Sequence, residues 1–119
     1  MGNRIGMSEY LEAGMRAASL RGKTIANNLA NLNTPGYRRV AVAFEEALAK
    51  ALNSSGPINL DELAPKIFQP MSTPVDAEGN DVILDTEVGE MVKNSAMYKT
   101  YVRMLSKLYQ RMELAMRLG

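Results

Sequence analysis

The chain has 119 residues, 46% of them hydrophobic, with no Trp, only two Phe and a formal net charge of +1. With no Cys and no His, it can form neither a disulfide nor a thiolate zinc site, and it lacks the side chain most used for acid–base work near neutral pH and for binding transition metals. A non-enzymatic chain without cofactor or metal is therefore expected, and its apolar content, drawn mostly from Ala, Leu, Met and Val, predicts an all-α fold.

Charge is unevenly distributed. Residues 1–60 carry seven Lys/Arg and four Asp/Glu, residues 61–90 one and eight, and residues 91–119 six and one. A near-neutral total without a recognition module argues against nucleic acid, and no phosphate-binding loop or dinucleotide fingerprint points to a small-molecule substrate. No apolar run approaches the eighteen or so residues of a membrane span, and Met1-Gly2-Asn3-Arg4-Ile5-Gly6 lacks the apolar core of a secretory signal, so no cleaved signal peptide is expected.

Three units are expected in chain order: residues 1–52, 53–81 and 82–119. In the first, Leu11, Met15, Ala18, Gly22, Ile25, Leu29 and Leu32 follow the 4, 3 spacing of a coiled-coil seam and predict one helix over residues 7–32. Ser8 is its expected N-cap, and Gly22 the place where a neighbouring backbone could approach. Pro35-Gly36 has the residues of a type II turn, which bends the chain. Val40, Phe44, Leu48 and Leu52 then recur every four residues, predicting a shorter helix near 41–53.

Residues 53–81 hold four of the five prolines, at 57, 65, 70 and 74, and sustain neither helical nor strand periodicity, so an irregular loop is expected. Asp76-Ala-Glu-Gly-Asn-Asp81 superficially suggests a calcium loop, but Gly79 stands fourth where the motif needs glycine sixth. The final helix begins near Asp85, its expected N-cap. Its seam is read as Leu84, Val88, Met91, Ser95, Tyr98, Val102, Leu105, Tyr109, Met112 and Met116. At about 50 Å it is too long for the rest of the chain to bury, so the two long helices are expected to pair antiparallel, to pack into other molecules, or both. Lys99, Arg103, Lys107 and Arg111 form an i, i+4 row of like charge. A solvated face is its ordinary meaning, and an acidic partner or a membrane surface, as for a soluble helical adaptor, is the alternative.

The least ordinary segment is Ala26-Asn27-Asn28-Leu29-Ala30-Asn31-Leu32-Asn33-Thr34-Pro35-Gly36-Tyr37, with four Asn in seven positions at a helix end. A C-terminal cap explains Asn33; Asn27, Asn28 and Asn31 call for hydrogen-bond partners beyond their own turn. This segment resembles the signature of bacterial flagellar axial proteins of the rod and hook. The run Gly79–Glu87 and the short length resemble the proximal-rod members in particular. The chain departs mildly from the family pattern at two positions: Arg38 stands where Lys is frequent, and Asp81 where Asn is frequent.

The resemblance implies a structural rod subunit in the basal body, exported without a cleaved signal by the flagellar type III apparatus and assembled helically across the periplasm. It further implies self-association and contacts with other rod proteins, with the MS ring and export gate at the rod base. The terminal helices would form an antiparallel coiled coil, and Asn27, Asn28, Asn31, Asn33, Thr34, Pro35, Gly36 and Tyr37 would contact neighbouring subunits.

Overall fold

The computed structural model describes residues 6–54 and 60–119; Met1–Ile5 and the prolyl stretch around Pro57 lie outside the described residues. Three α-helices account for most of the chain: α1 (Met7–Ala30), α2 (Glu45–Asn53) and α3 (Leu84–Leu118). Two three-residue strands, β1 (Ala41–Ala43) and β2 (Lys66–Phe68), and a 3₁₀ turn at Leu60–Leu63 complete it. The fold is thus mostly helical with long terminal helices, as expected, and carries in addition a small two-stranded sheet. The strands pair antiparallel, with Ala41 opposite Phe68, Val42 opposite Ile67 and Ala43 opposite Lys66. Residues 53–81 are accordingly not wholly irregular: their 3₁₀ turn and β2 dock back onto the first half of the chain.

Helix α1 is the middle layer. One face, through Ala13 and Ala17 with Tyr10 and Leu20 beside them, buries Val42, Phe44, Leu48 and Leu63 in the main apolar cluster. Phe44 is at the N-cap of α2 instead of inside the helix, because β1 takes up the residues before it. Its side chain is only 2% exposed, so the four-residue apolar rhythm reports burial correctly while misplacing the helix start. The opposite face of α1 packs on α3.

The helix pair is antiparallel. Asn28 meets Glu87, Asn94 Nδ2 donates to the Ala18 carbonyl at 2.7 Å, and the Tyr109 hydroxyl donates to Glu12 Oε1 at 2.7 Å. The Tyr101 ring lies directly against Gly14, where an added Cβ would run into it. At Gly22 the same addition would make only an ordinary 3.5 Å contact with Asn94, so Gly14 and not Gly22 is the glycine that admits a neighbour.

Helix caps also differ from expectation. The chain enters α1 through Gly6, whose N–H approaches Glu9 Oε2 at 3.4 Å, and Ser8 lies inside the first turn. Ile83 caps α3, with Asp85 and Glu87 in its first turn, where their charge favours the positive end of the helix dipole. Helix α3 has 35 residues against 24 in α1, so the overlap ends near Tyr109 and the segment from Gln110 onward extends past the start of α1. The molecule measures 65 × 30 × 16 Å.

Candidate functional site

At the other end of the helix pair the Asn-rich segment, the turn after it and the approach to α3 form one polar corner. Helix α1 stops at Asn31, and the Tyr37 N–H closes a turn onto the Thr34 carbonyl with Pro35 and Gly36 in its centre. Gly36 takes φ 75°, a left-handed conformation that an L side chain disfavours. A second turn ends at Gly79, φ 80°, and the two glycines face each other closely enough for the Gly36 N–H to donate to the Glu78 carbonyl at 2.8 Å.

Asn28 lies at the centre, fully buried. Its Nδ2 donates to the Val40 carbonyl at 2.9 Å and to Glu87 Oε2 at 3.2 Å, while its Oδ1 accepts the Val40 N–H and the Tyr37 hydroxyl, each at 2.9 Å. Both donors and both acceptor positions of the amide are used, which is what a buried Asn needs if it is not to destabilise the fold. Asn27 Nδ2 donates to the Tyr37 hydroxyl at 2.9 Å, extending the chain of bonds. Burial raises the Tyr37 phenol above its ordinary value; the Asn27 hydrogen bond opposes this, and the Glu87 and Asp81 carboxylates add to it.

Asn31 serves the turn. Its Nδ2 donates to the Asn27 carbonyl and its Oδ1 accepts the Thr34 hydroxyl. Asn80, 3% exposed, donates to the Asn31 and Thr34 carbonyls at 2.9 and 2.8 Å and accepts the Val82 N–H, so it ties the end of α1 to the lead-in of α3. The Asp76 carboxylate accepts the N–H groups of Glu78 and Asn80, closing the loop on itself.

Two buried carboxylates complete the corner. Asp81 accepts Arg38 Nε at 3.0 Å and the Arg39 N–H at 2.6 Å; Glu87 accepts Arg39 Nε at 2.7 Å. Both side chains are fully buried, and their arginines are less than a third exposed. Removing one partner of such a pair is costly, because it leaves the other charge buried and alone. A cleft of about 340 Å³ opens beside them between Thr24, Val42 and Thr86, but its Asp81 and Glu87 already hold arginines. Arg38 and Asp81, the two positions where the chain departs from the family pattern, meet each other.

The sequence motif is therefore only partly available to a neighbour. Asn28 is buried and bonds within its own chain, as do the side chains of Asn27, Asn31 and Tyr37, while Asn27, Asn33, Thr34, Pro35 and Gly36 are exposed. The partners at residues 80–87 lie about fifty residues away in sequence, and only the family-like run Gly79–Glu87 pointed to them.

The seam positions divide in a regular way. On α3, Glu87, Asn94 and Tyr101 meet α1 in one seven-residue series, continued by the half-buried Leu108, and Met91 and Leu105 of the other series are half-buried and buried. Met91 and Leu105 belong to the expected seam. Leu84, Val88, Ser95, Tyr98, Val102, Tyr109, Met112 and Met116 are exposed, Met116 at 80%. On α1, Leu11, Ala18 and Ile25 are buried as the spacing implied, whereas Gly14 and Asn28, not Met15 and Leu29, complete the buried line; Met15, Gly22, Leu29 and Leu32 are partly covered. Lys99, Arg103, Lys107 and Arg111 are all exposed, with no ion pair among the described residues.

Residues 11–38 match a family model described as flagella basal body rod protein, the stretch from the buried Leu11 to the Arg38 of the corner. Flagellar basal body rod protein FlgB of Borreliella burgdorferi is 34% identical over 99 residues, covering 67% of this chain and 73% of that protein. FlgB of Bacillus subtilis is 26% identical over 110 residues, 85% of each chain, and FlgB of Buchnera aphidicola 27% over 105 residues, 76% of this chain and 79% of the relative. With a polar corner built from the matched stretch and likeness extending over most of its length, the chain belongs to the FlgB family of flagellar basal body rod proteins.

Proposed function

We propose that the chain assembles into the proximal part of the flagellar rod through the outer face of α3, as a structural subunit of the shaft that carries motor torque to hook and filament. Membership in a family of flagellar basal body rod proteins makes it a structural rod subunit and supports a role without catalysis. The observation that carries the mode of assembly is the exposed half of the seam. Val88, Val102, Tyr109, Met112 and Met116 keep coiled-coil spacing yet are 40–80% exposed, although contiguous apolar surface on a monomer ordinarily has a partner. Within one subunit α1 and α3 form the antiparallel coiled-coil pair; the outer stripe and the tail beyond Tyr109 pack into neighbouring rod proteins. Asn33, Thr34, Pro35 and Gly36 form the exposed rim at the opposite end and contact the next subunit. Export proceeds through the flagellar type III apparatus, and the MS ring and export gate meet the rod at its base.

Loss of the chain should leave cells that grow normally but lack a rod and do not swim. The double variant Met112→Ser, Met116→Ser should keep the helicity of the purified protein and still fail to restore motility. Normal swimming by that variant refutes assembly through the α3 stripe, and normal swimming by the deletion strain refutes the rod role itself.

A further inference from the structure

The basic row of α3 forms no ion pair among the described residues. Lys99, Arg103, Lys107 and Arg111 are exposed, spaced one helical turn apart over about 18 Å, and repel one another. Arg117, further along α3, pairs with Glu113 at 2.9 Å, and Arg38 and Arg39 at the far end are held by Asp81 and Glu87. Glu9, Glu46 and Glu62 are single acidic side chains without an ion pair among the described residues, whereas Asp76, Glu78, Asp85 and Glu90, also without one, gather at the opposite end of α3 from the row.

Asp85 and Lys99 are fourteen residues apart on one continuous helix, about 21 Å. That exceeds twice the screening length at physiological ionic strength, so the two ends do not relieve each other within a subunit. Two oppositely charged patches of four residues each, fixed at separate places on a stiff helix, are complementary only between molecules.

We propose that the Lys99–Arg111 row of one copy docks on the acidic corner end, Glu78, Asp85 and Glu90, of a second copy. The two patches are different surfaces, so the contact is head-to-tail; every copy keeps one free patch of each sign, and the arrangement extends without closing on itself. An anionic membrane is the weaker occupant. The groove beside the row is partly polar, lined by Ser106 and Gln110 as well as Tyr98 and Val102, and the apolar stripe of α3 is taken up by neighbouring rod proteins in the reading above. The contact rests on the rod-subunit reading above and specifies which surfaces of two subunits meet.

Charge exchange between copies tests it. Variant one carries Lys99→Glu, Arg103→Glu and Lys107→Glu; variant two carries Glu78→Lys, Asp85→Lys and Glu90→Lys. By sedimentation velocity the unmodified chain should self-associate in a salt-sensitive way, and each variant alone should associate at least about tenfold more weakly. An equimolar mixture should recover association, and so should one chain carrying all six changes. No recovery in the mixture, unaltered association of variant one, or a wild-type chain monomeric at every concentration overturns the proposal. Unaltered self-association with lost binding to phosphatidylglycerol vesicles assigns the row to a membrane instead.

Because the chain has no Cys, Asp85→Cys with Arg103→Cys gives a second measurement in assembled basal bodies. The two positions lie about 27 Å apart on α3, so oxidation cannot join them within a subunit. A ladder of cross-linked species is expected, and monomers only would overturn the contact. Motility of the deletion strain is scored separately: a swimming deletion strain defeats the rod role, whereas a non-swimming one with no ladder defeats only this contact.

Discussion

Replacing Asn28 by Ala removes four hydrogen bonds from a site with no access to solvent. The Val40 N–H and carbonyl, the Tyr37 hydroxyl and Glu87 Oε2 each lose a partner, at distances of 2.9, 2.9, 2.9 and 3.2 Å. A neutral intramolecular hydrogen bond contributes about 1 kcal/mol net and one to a charged group about 1.5–3, with a further desolvation cost for groups left buried and unpaired. Tyr37 keeps its bond from Asn27 and Glu87 keeps Arg39, so two of the four orphaned groups retain a second partner. A loss of about 4 kcal/mol results, a large share of the roughly 5–15 kcal/mol that separates folded from unfolded domains.

Urea denaturation followed by circular dichroism measures this, with the Val40 amide as a local probe by hydrogen exchange. Asn33→Ala is the control. Asn33 is exposed and its side chain makes no hydrogen bond among the described residues, so its change should stay within about 0.5 kcal/mol, while Asn27→Ala, which removes one exposed bond, should fall near 1. An Asn28→Ala variant within about 1 kcal/mol of Asn33→Ala, with unaltered Val40 protection, would refute the view that this amide holds the corner together.

Gly14→Ala should destabilise the chain despite a helix-propensity gain of about 1 kcal/mol, because the new methyl must displace the Tyr101 ring; in a Tyr101→Ala background the same change should become stabilising, and equal effects in both backgrounds would refute the contact. Asp81→Asn alone should cost about 2 kcal/mol by leaving Arg38 without its anion, whereas Arg38→Lys with Asp81→Asn should cost less than the sum of the single changes, a coupling readable from urea midpoints. Tyr37, Tyr101 and Tyr109 are all raised above the ordinary phenol value of 10.0: Tyr37 and Tyr101 chiefly by burial, Tyr109 by its hydrogen bond to Glu12. Above that pH the unfolded chain releases phenolic protons first, so stability should hold below it and fall as pH rises, and Tyr37→Phe should flatten the fall. A urea midpoint that does not change with pH across that range would contradict it.

What the sequence makes legible is what local chemistry decides. Helix α1, the break after Asn31, the turn at Pro35-Gly36 and the long α3 follow from periodicity and from residues acting on their immediate neighbours. The strands escape that reading because three residues scarcely make one alternation, and Val42 and Ile67 become a pair only once the chain has returned. Cap positions slip by two residues, since Gly6 and Ile83 enter their helices by backbone conformation and not by a capping side chain. On α1 the expected seam is buried at Leu11, Ala18 and Ile25 and half-covered elsewhere, whereas on α3 only Met91 and Leu105 of it are covered and the rest turns outward. The reason is chemical: the inward series holds Glu87 and Asn94 on α3 and Gly14 and Asn28 on α1, polar or minimal residues that a search for apolar spacing passes over.

That displacement explains the division of labour between the two ends of α3. Polar side chains near its start fix its orientation against α1 through directional bonds, and the buried Arg39–Glu87 pair makes rotation of the helix costly, since turning Glu87 outward would strip the Arg39 guanidinium of its carboxylate and Asn28 of one of its four hydrogen bonds. An apolar seam alone would permit such rotation, because Val88 and Tyr98 could fill the interface nearly as well as their neighbours. By committing Glu87 and Asn94 inward, the chain keeps Val88, Val102 and Tyr109 outward along the whole helix, together with the basic row. The polar corner therefore acts at a distance from the outer stripe: it sets which face of α3 the stripe occupies, and stiffness of a single 35-residue helix carries that setting to the far end.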